Sequence, residues 1–111
     1  MEEARRDTGA DVDAVFAALA DPTRRAVMGR LAEEPASASA LAGELPVTRQ
    51  AVAKHLAALD RAGLVTPRRE GRELRYALDP APMGAAIAWM ASVGAHWDDR
   101  LARLARRAAQ G

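Results

Sequence analysis

The stretch Thr48-Arg49-Gln50-Ala51-Val52-Ala53-Lys54 holds a hydroxyl, a guanidinium fork, a primary amide and an ammonium within one short span. Such a set suits the edges and phosphates of duplex DNA better than bond-making chemistry. Arg49 can fork onto guanine, Gln50 can pair with adenine, and the small Ala53 lets the backbone approach a thymine methyl. Lys54 can reach a base or a phosphate. Thr48 can cap a helix, hold a phosphate with nearby amides, or do both. A second basic group, Arg68, Arg69, Arg72 and Arg75, surrounds Gly71. These side chains can enter a minor groove or neutralise flanking phosphates; the alternative is a solvated hairpin balanced by Glu70 and Glu73.

Other chemistries find less material. No nucleophile, base and orienting group cluster in the chain, and it has neither a P-loop nor a G-x-G-x-x-G, so neither an enzyme nor a cofactor is expected. Cysteine is absent, which removes disulfides, thiolate metal sites and Cys nucleophiles together. His55 falls at the margin of an apolar helix face and reads as a packed histidine bonded to a neighbour. His96 adjoins Trp97, Asp98 and Asp99, but structural zinc takes four tight ligands and His96 is the one strong donor there. No metal site is expected, and a metal-responsive use of His96, Asp98 and Asp99 remains the alternative.

The positions of charge say more than their sum. The chain has 111 residues, 28% of them charged, and a formal net charge of +1. Residues 1 to 47 carry five Arg against nine acids, residues 48 to 76 seven Lys/Arg against three acids, and residues 77 to 111 four Arg against three acids. A basic middle in a nearly neutral chain points to one polyanion-binding surface. The length fits one small domain, without room for a two-domain cleft enzyme. With one Phe, one Tyr and two Trp, the core must be aliphatic and rich in Ala. Such a core is thin, and a second subunit would support it. No apolar run approaches the roughly 18 residues that span a bilayer, and Met1 to Asp11 has no signal-peptide core, so the expectation is a cytoplasmic protein with no membrane partner.

The elements that would position these groups follow from caps and periodicity. Residues 1 to 10 read as a frayed or disordered terminus and 11 to 109 as one domain. Asp11 can cap a first helix bearing Val12, Val15, Phe16 and Leu19 at helical spacing. Asp21-Pro22 caps and starts a second, with Val27, Met28 and Leu31 inward, ending near Glu34 before Pro35. Ser37 or Ser39 opens a short third helix that Pro46 stops. A fourth runs from Arg49 to about Ala62 and closes at Gly63. At about 100° per residue, Val52, Leu56 and Leu59 share one face, and Arg49, Gln50, Ala53, Lys54, Ala57 and Arg61 the other. Leu64 to Glu70 and Glu73 to Leu78 form a hairpin turning at Gly71-Arg72, with Tyr76 packed beneath it. Asp79-Pro80 then starts a last helix reaching about Ala108. The predicted fold is mainly α with a small β-hairpin, a winged helix-turn-helix of five helices plus a two-stranded wing, its fourth helix in the major groove.

The last helix carries Met83, Ile87, Met90, Gly94, Trp97, Leu101, Leu104 and Ala108 in alternating steps of four and three. Such a helix outruns the core of a domain this size, so part of this heptad seam is expected to face another copy of the chain. The expected dimer surface comprises Val12, Phe16, Leu19, Met83, Ile87, Met90, Trp97, Leu101 and Leu104.

Three segments carry a resemblance: VFAALADPTRR over Val15–Arg25, LPVTRQAVAKHL over Leu45–Leu56, and AGLV over Ala62–Val65 with RREGR over Arg68–Arg72. Over roughly residues 12 to 107 the chain resembles the ArsR/SmtB family of bacterial transcriptional repressors. The resemblance implies a homodimer built from the first and last helices, operator DNA under the paired fourth helices and wings, and release by an inducer. The family's metal sensors use cysteines around the third helix, which are missing here, or Asp and His residues along the last helix, of which only His96, Asp98 and Asp99 remain. The Trp97-to-Leu104 stretch is more similar to the family's metal-free branch, and any small-molecule inducer is unidentified. The expected function is a sequence-specific double-stranded DNA-binding regulator acting as a homodimeric repressor. A winged-helix module that holds a protein partner and touches no DNA is the alternative from another class.

Overall fold

The computed structural model describes residues 12–110. Five helices and three short strands follow one another as α1 (residues 12–19), α2 (Pro22–Leu31), β1 (Ala36–Ser37), α3 (Ala38–Glu44), α4 (Arg49–Arg61), β2 (Val65–Glu70), β3 (Glu73–Leu78) and α5 (Met83–Gln110). The expected frayed terminus and the Asp11 cap lie outside the described residues.

Caps place most boundaries where the sequence puts them. The Asp21 carboxylate accepts from the backbone N–H of Thr23 and Arg24 at 2.8 and 3.0 Å, with Pro22 as the first residue of α2. Ser37, rather than Ser39, caps α3, and Thr48 caps α4. Gly63, at φ +76°, closes α4: its own N–H donates to the Asp60 carbonyl and that of Leu64 to the Leu59 carbonyl, both at 2.9 Å, the paired bonds of a Schellman end. Two boundaries differ from expectation. α2 stops at Leu31, not near Glu34, because Pro35 biases its predecessor toward extended backbone and the chain must straighten into β1. α5 starts at Met83, not at Asp79-Pro80. Asp79 instead caps a tight turn, accepting from the Ala81 N–H at 3.0 Å, and the Met83 N–H reaches back to the Pro80 carbonyl.

The wing is also larger than a hairpin. β2 and β3 pair antiparallel from Val65 opposite Leu78 to Glu70 opposite Glu73, and β1 joins the outer edge of β3, with Ala36 opposite Tyr76 and Ser37 opposite Arg75. The expected two-stranded wing is therefore part of a three-stranded sheet in the order β1-β3-β2. Gly71 has φ +63° and Arg72 does not share the positive sign, the pattern of a type II′ turn suited to a two-residue connection.

The core is aliphatic, as expected. Leu41, Leu56, Leu59, Leu64, Val15, Val27 and Val52 are its largest fully buried side chains, and among the described residues no polar or charged residue is buried. α5 takes little part in it. Along its 28 residues, about 42 Å at 1.5 Å each, Ala86 alone is buried. The radius of gyration is 18.9 Å, whereas a compact chain of this size has about 13 Å, so α5 lies largely off the body of the domain. Among the described residues no helix is long and apolar enough to cross a membrane.

Candidate nucleic-acid interface

α4 divides as its periodicity requires. Val52, Leu56 and Leu59 are buried, while Arg49, Gln50, Ala53, Lys54, Ala57 and Arg61 are exposed. The inner residues hold the helix against the core, so the outer row is displayed on a fixed backbone. At its N-terminus the Thr48 Oγ1 accepts from the Ala51 N–H at 3.0 Å. The cap uses an oxygen lone pair and leaves the hydroxyl proton free to donate outward.

The wing arginines do not form one cluster. Alternation along the ladder places Thr66, Arg68, Glu70, Glu73, Arg75 and Ala77 on one face, and Val65, Pro67, Arg69, Leu74, Tyr76 and Leu78 on the other. Arg69 and Arg72 line a groove of about 380 Å³ whose opposite wall is Arg49 and Ala53 of α4. The groove also takes in Tyr76 and the acidic Glu73, together with Ser39 and Leu74, which sequence reasoning did not assign to the site. Two-residue β1 carries no periodic signal, yet its pairing with β3 brings the start of α3 beside the wing. Tyr76 is half-buried and packs against the core, as expected of a ring beneath the wing. Arg68 is exposed on the far face. Arg75, on that same face, is ion-paired: Nη1 lies 3.3 Å from Glu70 Oε1 and Nε 3.7 Å from Glu73 Oε1.

A polar frame behind this face sets the helix-turn-helix. Arg24 donates from Nε to the Ala18 carbonyl and from Nη2 to the Ala17 carbonyl, both at 3.1 Å, and Arg25 donates to the Leu19 carbonyl. Asp21-Pro22-Thr23-Arg24-Arg25 thus caps the start of α2 and satisfies carbonyls at the end of α1. The backbone N–H of Arg24 holds the Asp21 carboxyl below its ordinary range. Arg30 bonds the Glu44 carboxylate through Nε and Nη2 and the Glu34 carbonyl through Nη1, tying the end of α2 to the end of α3. The Arg30 hydrogen bond lowers the titration of Glu44, and that of Arg30 rises in return.

The expected dimer residues fall into two sets. Val12, Phe16, Leu19 and Met83 are half-buried, and the last three pack on the domain's own core. Ile87, Met90, Trp97, Leu101 and Leu104 are 47 to 59% exposed. Trp89 and Val93, absent from the heptad reading, are exposed beside them, and the Trp89 ring meets Phe16 edge-on with centroids 5.7 Å apart. Their signal is a flank rather than a seam, since at about 100° per residue Trp89 and Val93 sit to one side of the heptad row.

The histidines are placed differently from their sequence reading or apart from any ligand set. His55 is half-buried, as expected of a packed histidine, but its Nδ1 is buried without a hydrogen-bond partner. His96 and Asp99 border a shallow depression, Asp98 is exposed, and Asp99 pairs with Arg103 at 3.3 Å. Among the described residues no group of three or more His, Cys, Asp or Glu side chains is placed to hold a metal ion.

Three helices, a strand-turned wing and an exposed basic fourth helix define a winged helix-turn-helix DNA-binding regulator. A family model described as a helix-turn-helix domain matches residues 19–68. The HTH-type transcriptional regulator CmtR of Mycobacterium bovis is 37% identical over 94 residues, covering 85% of this chain and 80% of that protein. The HTH-type transcriptional regulator Rv2034 of Mycobacterium tuberculosis is 47% identical over 73 residues, covering 66% and 68%. Among solved structures, an ArsR-like transcriptional regulator from Rhodococcus sp. RHA1 superimposes with a TM-score of 0.75 at 45% identity, covering 86% of this chain and 90% of that one. The chain belongs to the ArsR family of winged helix-turn-helix transcriptional regulators.

Proposed function

We propose that the protein is a sequence-specific repressor that binds operator DNA as a homodimer. α4 enters the major groove, where Arg49 and Gln50 read base edges, Ala53 permits close approach, and Lys54 and Thr48 reach phosphate. Arg69 and Arg72 of the wing meet the flanking backbone. The observation that carries the reading is the shared groove, which Arg49 of α4 borders on one side and Arg69 and Arg72 of the wing on the other. The apolar row of α5 supports the dimer, since monomers rarely leave so much contiguous apolar surface in water. A two-fold dimer presents two α4 helices, so the operator should be a pseudo-palindrome with half-sites one helical turn, about 34 Å, or a multiple of it apart.

A module that binds protein and not DNA would leave Arg49, Gln50 and Lys54 without a role. Titration of duplex DNA over a range of salt separates the two readings. A phosphate-neutralising dimer loses affinity steeply as salt rises, and Arg72→Ala shallows the slope of log affinity against log salt by roughly 2, one phosphate per wing. An Arg72→Ala curve that overlays wild type at every salt concentration would remove that residue from the interface.

A further inference from the structure

We infer that Arg75 is a positioning residue of the wing rather than one of its DNA contacts: it pairs with Glu70 and Glu73 and offsets part of their charge, leaving Arg69 and Arg72 to face the DNA at the groove. The inference rests on the DNA-binding reading above. It begins at the turn, where Glu70 and Glu73 stand directly opposite each other in the ladder. Like charges so placed repel. Glu73, whose carboxylate is turned toward Arg75, also borders the groove that holds Arg49, Arg69 and Arg72, so its charge lies close to incoming phosphate.

Arg75 answers both. Its guanidinium spans the pair, with Nη1 3.3 Å from Glu70 Oε1 and Nε 3.7 Å from Glu73 Oε1, and its Nε is out of reach of solvent. The other charged group facing it is Arg68, its cross-strand partner, which is exposed and is itself without an ion pair among the described residues. A guanidinium committed to two carboxylates gains little by turning to phosphate, since it would leave both acids uncompensated beside the DNA. Among the four wing arginines, Arg75 is the one tied to acidic partners, and it lies on the face opposite Arg69.

The test uses the full chain and a random-sequence duplex, since the effect carries no base preference. Arg75→Ala should weaken binding by about tenfold at low salt, because each wing loses the one charge that offsets its two acids. Adding Glu70→Gln and Glu73→Gln to that variant should restore affinity to at least that of wild type, with an unchanged salt slope. Glu70→Gln with Glu73→Gln alone should free Arg75 and steepen the slope. If Arg75 instead binds phosphate, the slope falls by roughly 2 in Arg75→Ala and stays there in the triple variant, which overturns the inference. In the free protein, nitrogen-detected NMR should show the Arg75 Nε–H exchanging more slowly than that of Arg72, with the difference lost in the double glutamine variant. Equal exchange in the wild type would also overturn it. A wild-type chain that bound no duplex at any salt would fail the DNA-binding reading itself, and the NMR result would still report separately whether the clamp exists.

Discussion

α4 and α5 are both amphipathic helices with an exposed face, and they expose opposite things. α4 turns Val52, Leu56 and Leu59 into its own core and shows water a basic, amide-bearing row. α5 buries Ala86 and shows water Ile87, Trp89, Met90, Val93, Trp97, Leu101 and Leu104. A polar face on a helix whose apolar side is satisfied is available to a polyanion. An apolar face left in water is where the proposed second subunit would pack. The same periodic pattern therefore marks a face turned to its own core in one case and a face turned outward in the other, and exposure in the folded chain tells them apart.

The largest test of this contrast lies on α5. Leu101→Glu should place a carboxylate in the proposed interface at a penalty on the order of several kcal/mol, giving monomer or unfolded chain. Sedimentation of the wild type as a stable monomer at micromolar concentration would erase the distinction, leaving α5 as an exposed helix without a partner. On the inner face of α4, Leu56→Ala removes a fully buried side chain and should lower unfolding free energy by about 2–5 kcal/mol in denaturant titrations. A loss below about 1 kcal/mol would mean that the site collapses around the smaller residue.

The outer face of α4 should respond more weakly and in a different observable. Arg49→Ala or Gln50→Ala should cost about 1–3 kcal/mol on a selected operator and much less on random duplex, with thermal stability unchanged. Equal losses on both DNAs would move these residues to the phosphate backbone. The smallest effect belongs to the frame that orients the two helices of the motif. Glu44 titrates below its ordinary value of 4.5 because Arg30 bonds its charged form. Its contribution to stability is complete above that value and is lost as pH falls through the lower folded-state value. Glu44→Gln should flatten this part of the acid limb of a melting-temperature profile and leave the neutral region only slightly lowered; an acid limb identical to wild type would show that the pair contributes nothing.

Local chemistry determined much of this molecule without tertiary help. Asp21, Ser37, Thr48 and Gly63 satisfy or release backbone groups within a few residues of themselves, so the ends they mark could be located from residue type and spacing. The two faces of α4 followed from an angle per residue, and with them the exposed Arg49, Gln50, Ala53 and Lys54. Tertiary structure decided what depends on residues distant in the chain. β1 exists because Ala36 and Ser37 meet Tyr76 and Arg75 across the fold, and two residues are too few to announce a strand. Pairing register, not composition, sorted the wing arginines into Arg69 and Arg72 at the groove and Arg75 between Glu70 and Glu73. Periodicity likewise drew the apolar row of α5 but could not show that the domain's own core takes only its first turns, because burial is a property of what lies opposite a face, and what lies opposite is set by the whole chain.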